Sequence, residues 1–146
     1  GDMETAIFHH EKAIEICPSD TFHIARYAIL LCYLGEPERG LGEIDRAMRI
    51  DPFCSDLIFE TQGLCFCLIK KYDDALSSFK KMQIETRTSN FYQALCYKEL
   101  DDSDKAKNYL ELALSESNMS IEKFVSSQYF QDEKTSKYLN ECLASI

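Results

Sequence analysis

The sequence predicts an all-α protein: a superhelical stack of about three and a half helical hairpins, closed by a short helical tail. Three observations lead there. A pattern of small and apolar residues returns at steps of 34, 35 and 31 residues. Glycine and proline number only 5 and 3, sparse punctuation for a β-rich chain and suited to long helices. Hydrophobic residues make up 45%, enough for one continuous core.

The pattern first reads Ala6-x3-His10-x2-Ala13-x4-Pro18. It returns as Gly40-x3-Ile44-x2-Ala47-x4-Pro52, then as Ala75-x3-Phe79-x2-Met82, and last as Ala106-x3-Leu110-x2-Ala113. The last step is short by about one helical turn, which the sequence assigns to the connection after Met82. A polar turn precedes each copy: Gly1-Asp2, Gly35-Glu36-Pro37, Lys70-Lys71-Tyr72-Asp73 and Leu100-Asp101-Asp102. Two antiparallel helices approach closely only where small residues meet. Ala6, Gly40, Ala75 and Ala106 fill one such slot, and Ala13, Ala47 and Ala113 a second. Ala28, Gly63 and Ala94 fill the matching slot on the facing helices, with Leu31, Phe66 and Tyr97 wedged between layers. Pro18 and Pro52 stop the second helix of their hairpins, because proline has no N–H to continue it.

These marks predict helices over 3–16, 20–34, 37–49, 55–69, 72–83, 88–100, 103–116, 120–127 and 133–144. Ser103 is the expected N-cap of its helix, with Asp104 in the first turn, and Asp56 is expected near the start of another. The array divides into a half repeat over 1–18 and full repeats over 19–53, 54–86 and 87–118, followed by capping helices over 119–146. Gly1-Asp2 sits at a mid-hairpin turn, so the chain is expected to be a fragment of a longer protein.

A 34-residue period with small residues at these spacings resembles the tetratricopeptide repeat over about residues 1–118. The Trp usual near the start of the first helix is absent, and no Pro closes the third or fourth copy. The tail carries Phe124, then Gln128-Tyr129-Phe130-Gln131-Asp132, then a closing helix with Leu139 and Leu143. With Tyr33-Leu34-Gly35-Glu36-Pro37 and Ile50-Asp51-Pro52-Phe53, this order resembles the C-terminal arrays of bacterial class III adenylate/guanylate cyclase-like signalling proteins and of some winged-helix transcriptional regulators. The resemblance implies a right-handed superhelix serving as an interaction or regulatory module, with any catalytic activity in a domain outside this chain.

Charge and motifs narrow the function classes. A net charge of -9 argues against nucleic acid and anionic membrane surfaces as partners. No apolar run reaches the roughly 18–20 residues of a membrane span, and the acidic start is unlike a signal peptide. Seven cysteines lack any Cys-x-x-Cys pair, and Cys65 and Cys67 point about 200° apart on one helix. They read as small buried hydrophobes in a reducing, cytoplasmic compartment. His9 and His10 face different ways, His9 at the surface and His10 in a packing slot, and His23 stands alone, so no metal site is expected. The acidic pairs Asp73-Asp74 and Asp101-Asp102 fall at helix starts, where they answer the helix dipole. No phosphate-binding loop or cofactor fingerprint occurs, and no catalytic residue or cofactor is expected.

In the implied architecture the first helix of each hairpin lines an inner groove. Its expected lining is Phe22, Ala25, Arg26, Ile29 and Tyr33, then Leu57, Glu60, Leu64 and Leu68, then Thr88, Phe91, Tyr92, Leu95 and Lys98. Only Arg26 and Lys98 are basic and no Asn is present, so a clamp for a peptide C-terminal carboxylate is not expected. The lining is mainly apolar and aromatic. It suits a protein or peptide partner held by apolar contact, or closure by the chain's own tail or by a second copy in a homodimer.

Overall fold

The computed structural model describes residues 2–115 and 118–146. Among them it holds nine α-helices and no strand: α1 (Asp2–Ile16), α2 (Thr21–Tyr33), α3 (Pro37–Ile50), α4 (Asp56–Leu68), α5 (Tyr72–Phe79), α6 (Arg87–Glu99), α7 (Ser103–Leu114), α8 (Ile121–Ser127) and α9 (Glu133–Ala144). Helices α2 and α3, α4 and α5, and α6 and α7 pair as antiparallel hairpins. Successive hairpins stack through α2 on α4 and α4 on α6, with α3 and α5 bridging to the next hairpin. The fold is thus an all-α stack of helical repeats. The expected turn residue Gly1 and the expected helix end at 116 lie outside the described residues.

The three turns inside the hairpins are closed alike. The N–H of Gly35 donates to the Cys32 carbonyl and that of Glu36 to the Leu31 carbonyl, satisfying two C-terminal carbonyls of α2. Lys70 and Lys71 repeat these bonds to Cys67 and Phe66, and Asp101 and Asp102 repeat them to Lys98 and Tyr97. The geometry needs one residue with positive φ, found at Gly35 (81°), Lys70 (63°) and Asp101 (60°). Several helix starts use side-chain acceptors, though α3, α4 and α5 do not. Asp20 accepts from the N–H groups of Phe22 and His23, and Thr86 and Ser89 cap each other reciprocally. The expectation for Ser103 is corrected: Asp102 is the N-cap and accepts from the Lys105 N–H, leaving Ser103 as the first helical residue.

The shortened repeat has a different seat from the one expected. Helices α2, α4 and α6 are each 13 residues long. The variable element is the second helix: α5 has 8 residues where α3 has 14. The helix expected over 72–83 ends at Phe79, because Lys81 and Met82 turn back onto the carbonyls of Ser78 and Phe79, one residue nearer than in an α-helix. The carboxylate of Asp56 then accepts the N–H groups of Gln83 and Ile84 at 2.9 Å each, pinning the chain where the missing turn would run. The loss lies mainly in the helix and not in the connection.

The small-residue slots are where the helices touch. Ala28, Ala75, Ala94 and Ala106 are fully buried, and Ala47 and Ala113 nearly so. A Cβ on Gly63 would lie 2.4 Å from the Phe79 ring, so only glycine lets α4 and α5 meet there. The first half repeat differs. Among the described residues α1 has no buried side chain, and it packs through Met3, Ala6, Ile7 and Ile14 on Tyr27, Leu30 and Leu31 of α2. At the other end α9 packs on α6, and Phe124, Val125, Leu139 and Leu143 join the main core.

Candidate protein-binding site

The concave face is split in two by the tail. Phe91 and Tyr92, expected to line the groove, are 0% and 1% exposed. Phe124 of α8 stacks on Phe91 with ring centroids 3.9 Å apart and meets Tyr92 edge-on at 5.7 Å. The side-chain carbonyl of Gln128 accepts the Tyr92 hydroxyl at 3.2 Å and the Tyr33 hydroxyl at 3.4 Å. Phe130 packs edge-on against Tyr33 at 5.1 Å, and the Gln131 N–H donates to the Tyr33 carbonyl at 2.9 Å. Burial pushes the Tyr33 and Tyr92 hydroxyls above their ordinary range, so both stay protonated donors to Gln128.

The expected lining is therefore corrected residue by residue. Phe91, Tyr92 and Leu95 are core, and so is Leu64. Ala25 is also fully buried. Leu57 packs against the core of the first two hairpins, and Leu68 lines a cavity at the turn end beside Tyr138 of α9. Lys98 is half-buried and lines no cavity with the others. A small pocket keeps Ile29, Tyr33, Glu60, Leu64 and Thr88 together, roofed by Gln128. Phe22 and Arg26 are exposed, with the Arg26 guanidinium over the Phe22 ring.

What stays open is a trough at the N-terminal half of the concave face. Met3 and His10 of α1, Arg26, Ile29 and Tyr33 of α2, and Tyr129 of the tail line a cavity of about 320 Å³. A wider depression of about 850 Å³ adjoins it across Met3 and Tyr129. Tyr129 is 71% exposed on the rim they share. The pair Gln128-Tyr129 was visible in the sequence as an aromatic turn, but the sequence carries no period that places it against Tyr33. His10 occupies the repeat position of Ile44. Ile44 is fully buried between α2 and α4, whereas His10 has only α2 beside it and faces the trough.

Two ionisable groups lie on either side of Ile29 and Tyr33: His10 in the trough and Glu60 in the pocket under Gln128. Burial, helped by the Arg26 charge, holds His10 below its ordinary value of 6.5, which favours neutral imidazole. Burial raises the Glu60 carboxyl above 4.5, opposed by the Thr86 hydroxyl that donates to it and reinforced by Asp56. The trough is thus apolar and aromatic, with a cation at Arg26, and the partly desolvated acid Glu60 lies in the adjoining pocket. Among the described residues no group of three or more His, Cys, Asp or Glu could hold a metal ion, and no helix is long and apolar enough to cross a membrane. No protein-family model matches the chain, no curated protein matches it in sequence, and no solved structure matches it.

Proposed function

We propose that this chain is a protein-interaction module that binds a protein or peptide segment by apolar contact in the trough around Tyr129. The observation that carries the reading is the division of the concave face. The tail covers the inner aromatics, yet leaves Met3, Ile29, Tyr33 and Tyr129 facing an open cavity beside exposed Arg26. Aromatic residues with an arginine at the edge of a concave apolar surface are the side chains that dominate binding energy in protein interfaces. The narrower reading, a regulatory end of a larger bacterial signalling protein, rests on the order of packing and tail residues alone.

A displayed library of linear peptides, selected on the immobilised chain and titrated by calorimetry, tests the module reading. Binders should lose at least tenfold affinity on Tyr129→Ala and on Arg26→Glu. Neither change touches the core, so circular dichroism should stay that of the wild type. Binders indifferent to both substitutions would place the interaction elsewhere.

A second reading, self-association, is supported by a different surface. Ile16, Phe53 and Ile84 are 84%, 93% and 73% exposed, all at or beside the turns that join successive hairpins. Sedimentation of the wild type against Phe53→Ser/Ile84→Ser distinguishes this reading. A dimer that dissociates in the double variant supports it, and a wild-type monomer at high concentration removes it.

A further inference from the structure

Cysteines recur at fixed places in the walls between neighbouring hairpins. Counted from the start of each 13-residue helix, Cys32 of α2 and Cys67 of α4 hold the twelfth position. Cys65 of α4 and Cys96 of α6 hold the tenth. Each twelfth-position thiol meets the tenth-position thiol of the next helix. The Sγ atoms of Cys32 and Cys65 are 3.4 Å apart, and those of Cys67 and Cys96 are 3.1 Å apart. The same contact is therefore made twice by the same stacking step. Cys65 and Cys67, two residues apart on one helix, turn to opposite neighbours as the helical period requires.

The surroundings favour sulfur–sulfur chemistry over other uses. All four thiols are at most 1% exposed. A Cβ on Gly40 would lie 3.3 Å from the Cys65 sulfur and 3.4 Å from that of Cys32, so glycine leaves room for that pair. Each pair needs to close by only about 1 Å to reach the roughly 2.05 Å of a disulfide.

We propose that Cys32–Cys65 and Cys67–Cys96 are two dithiol sites that hydrogen peroxide oxidises to disulfides, joining α2 to α4 and α4 to α6. In each pair one thiol loses its proton and the thiolate attacks a peroxide oxygen. The O–O bond breaks, a sulfenic acid forms, and the departing hydroxide takes up the released proton as water. The partner sulfur then attacks the sulfenic sulfur. The S–O bond breaks, the S–S bond forms, and the second thiol proton leaves with the hydroxyl as a second water. Two thiols lose two electrons and one peroxide gains them.

The hydrogen bond to Cys65, with burial, raises the Cys32 thiol well above its ordinary range, and burial with Cys96 does the same for Cys67. The closed fold therefore keeps Cys32 and Cys67 protonated and slow to react, and oxidation proceeds through brief opening between hairpins. Once formed, the two bonds fix the spacing of the helices that line the concave face.

The test uses the full chain with Cys17→Ser and Cys54→Ser, which removes the thiols outside the buried set. It is treated with hydrogen peroxide below its melting midpoint, in buffer and again in sub-denaturing urea, which raises the open population. After quenching, it is unfolded with iodoacetamide and mapped by mass spectrometry. The expected result is loss of four hydrogens, alkylation of Cys142 alone, linked peptides for the two stated pairs, and a higher melting midpoint that dithiothreitol reverses. Cys65→Ala should lose only the first link and Cys96→Ala only the second. Full alkylation of all five remaining cysteines in both conditions would overturn the proposal, as would a Cys65–Cys67 link.

Discussion

At the scale of single residues, the tightest constraint is the meeting of Gly63 with Phe79. Alanine at 63 would gain helix propensity of up to about 1 kcal/mol, because glycine is a poor helix interior residue. Against that, the added methyl would sit 2.4 Å from a ring that is 1% exposed and has no space to swing. Overpacking of a closed core costs roughly 1–3 kcal/mol, so steric cost wins. Gly63→Ala should lower the urea midpoint with an unchanged m-value, and an unchanged or higher midpoint would show that α4 and α5 can separate freely. Glu60 gives a second prediction with a defined sign. Its folded-state carboxyl titrates above its ordinary 4.5, so the folded chain holds the proton more tightly than the unfolded one. Its contribution to stability therefore falls as pH rises from 4.5 through the raised value, and the penalty is complete above it. Glu60→Gln keeps an acceptor for the Thr86 hydroxyl and removes the charge. The variant should melt above the wild type at pH 7, with the gap closing as pH falls toward 4.5.

At the scale of the element, the hairpin turns show how backbone chemistry is shared between copies. One turn satisfies its positive φ with glycine, while the other two place Lys70 and Asp101 there. An L-residue with a Cβ pays for that conformation, and glycine does not. Lys70 recovers part of the cost by lying over the Tyr138 ring at 5.6 Å. Asp101 stands between the C-terminus of α6 and the N-terminus of α7, where the two helix dipoles act on its charge in opposite directions. Asp101→Gly should therefore stabilise the chain by roughly 0.5–1 kcal/mol, read from chemical denaturation, while Gly35→Ala should destabilise it. The helices were legible in the sequence because Ala28, Gly63 and Ala94, or Ala47 and Ala113, mark a contact that every copy repeats. The early end of α5 was not, since Met82 continues the apolar spacing while Asp56, 27 residues earlier, captures the chain at Gln83. The groove was only half legible for a related reason. Phe91 and Tyr92 have the side chains of a binding surface, and their cover, Phe124 and Gln128, lies beyond the last copy where no period predicts a partner.

At the scale of the whole molecule, the two ends of the stack are built unequally. A repeat array is stabilised by contacts between neighbours, so an end unit keeps only one set of them. At the C-terminal end α8 and α9 supply the missing neighbour: Phe91 through Tyr97 are all buried, and Tyr92 finds its acceptor in Gln128. At the other end of the described stack α1 packs chiefly on α2 and has no buried side chain. Local opening should therefore start at α1 and reach α6 last. Native-state hydrogen exchange should show α1 amides exchanging at low opening free energies and those of α4 and α6 near the global value. Gln128→Ala adds a directional test. It leaves the Tyr92 hydroxyl buried without an acceptor, a loss of roughly 1–3 kcal/mol, and loosens the tail over α6. That variant should raise exchange in α6 and α8 more than in α1, because Tyr92 sits on α6 and Gln128 directly follows α8. If α1 and α6 instead exchange at one common rate, the stack opens only as a unit, and the trough at its N-terminal half has no separate freedom to adapt to a partner.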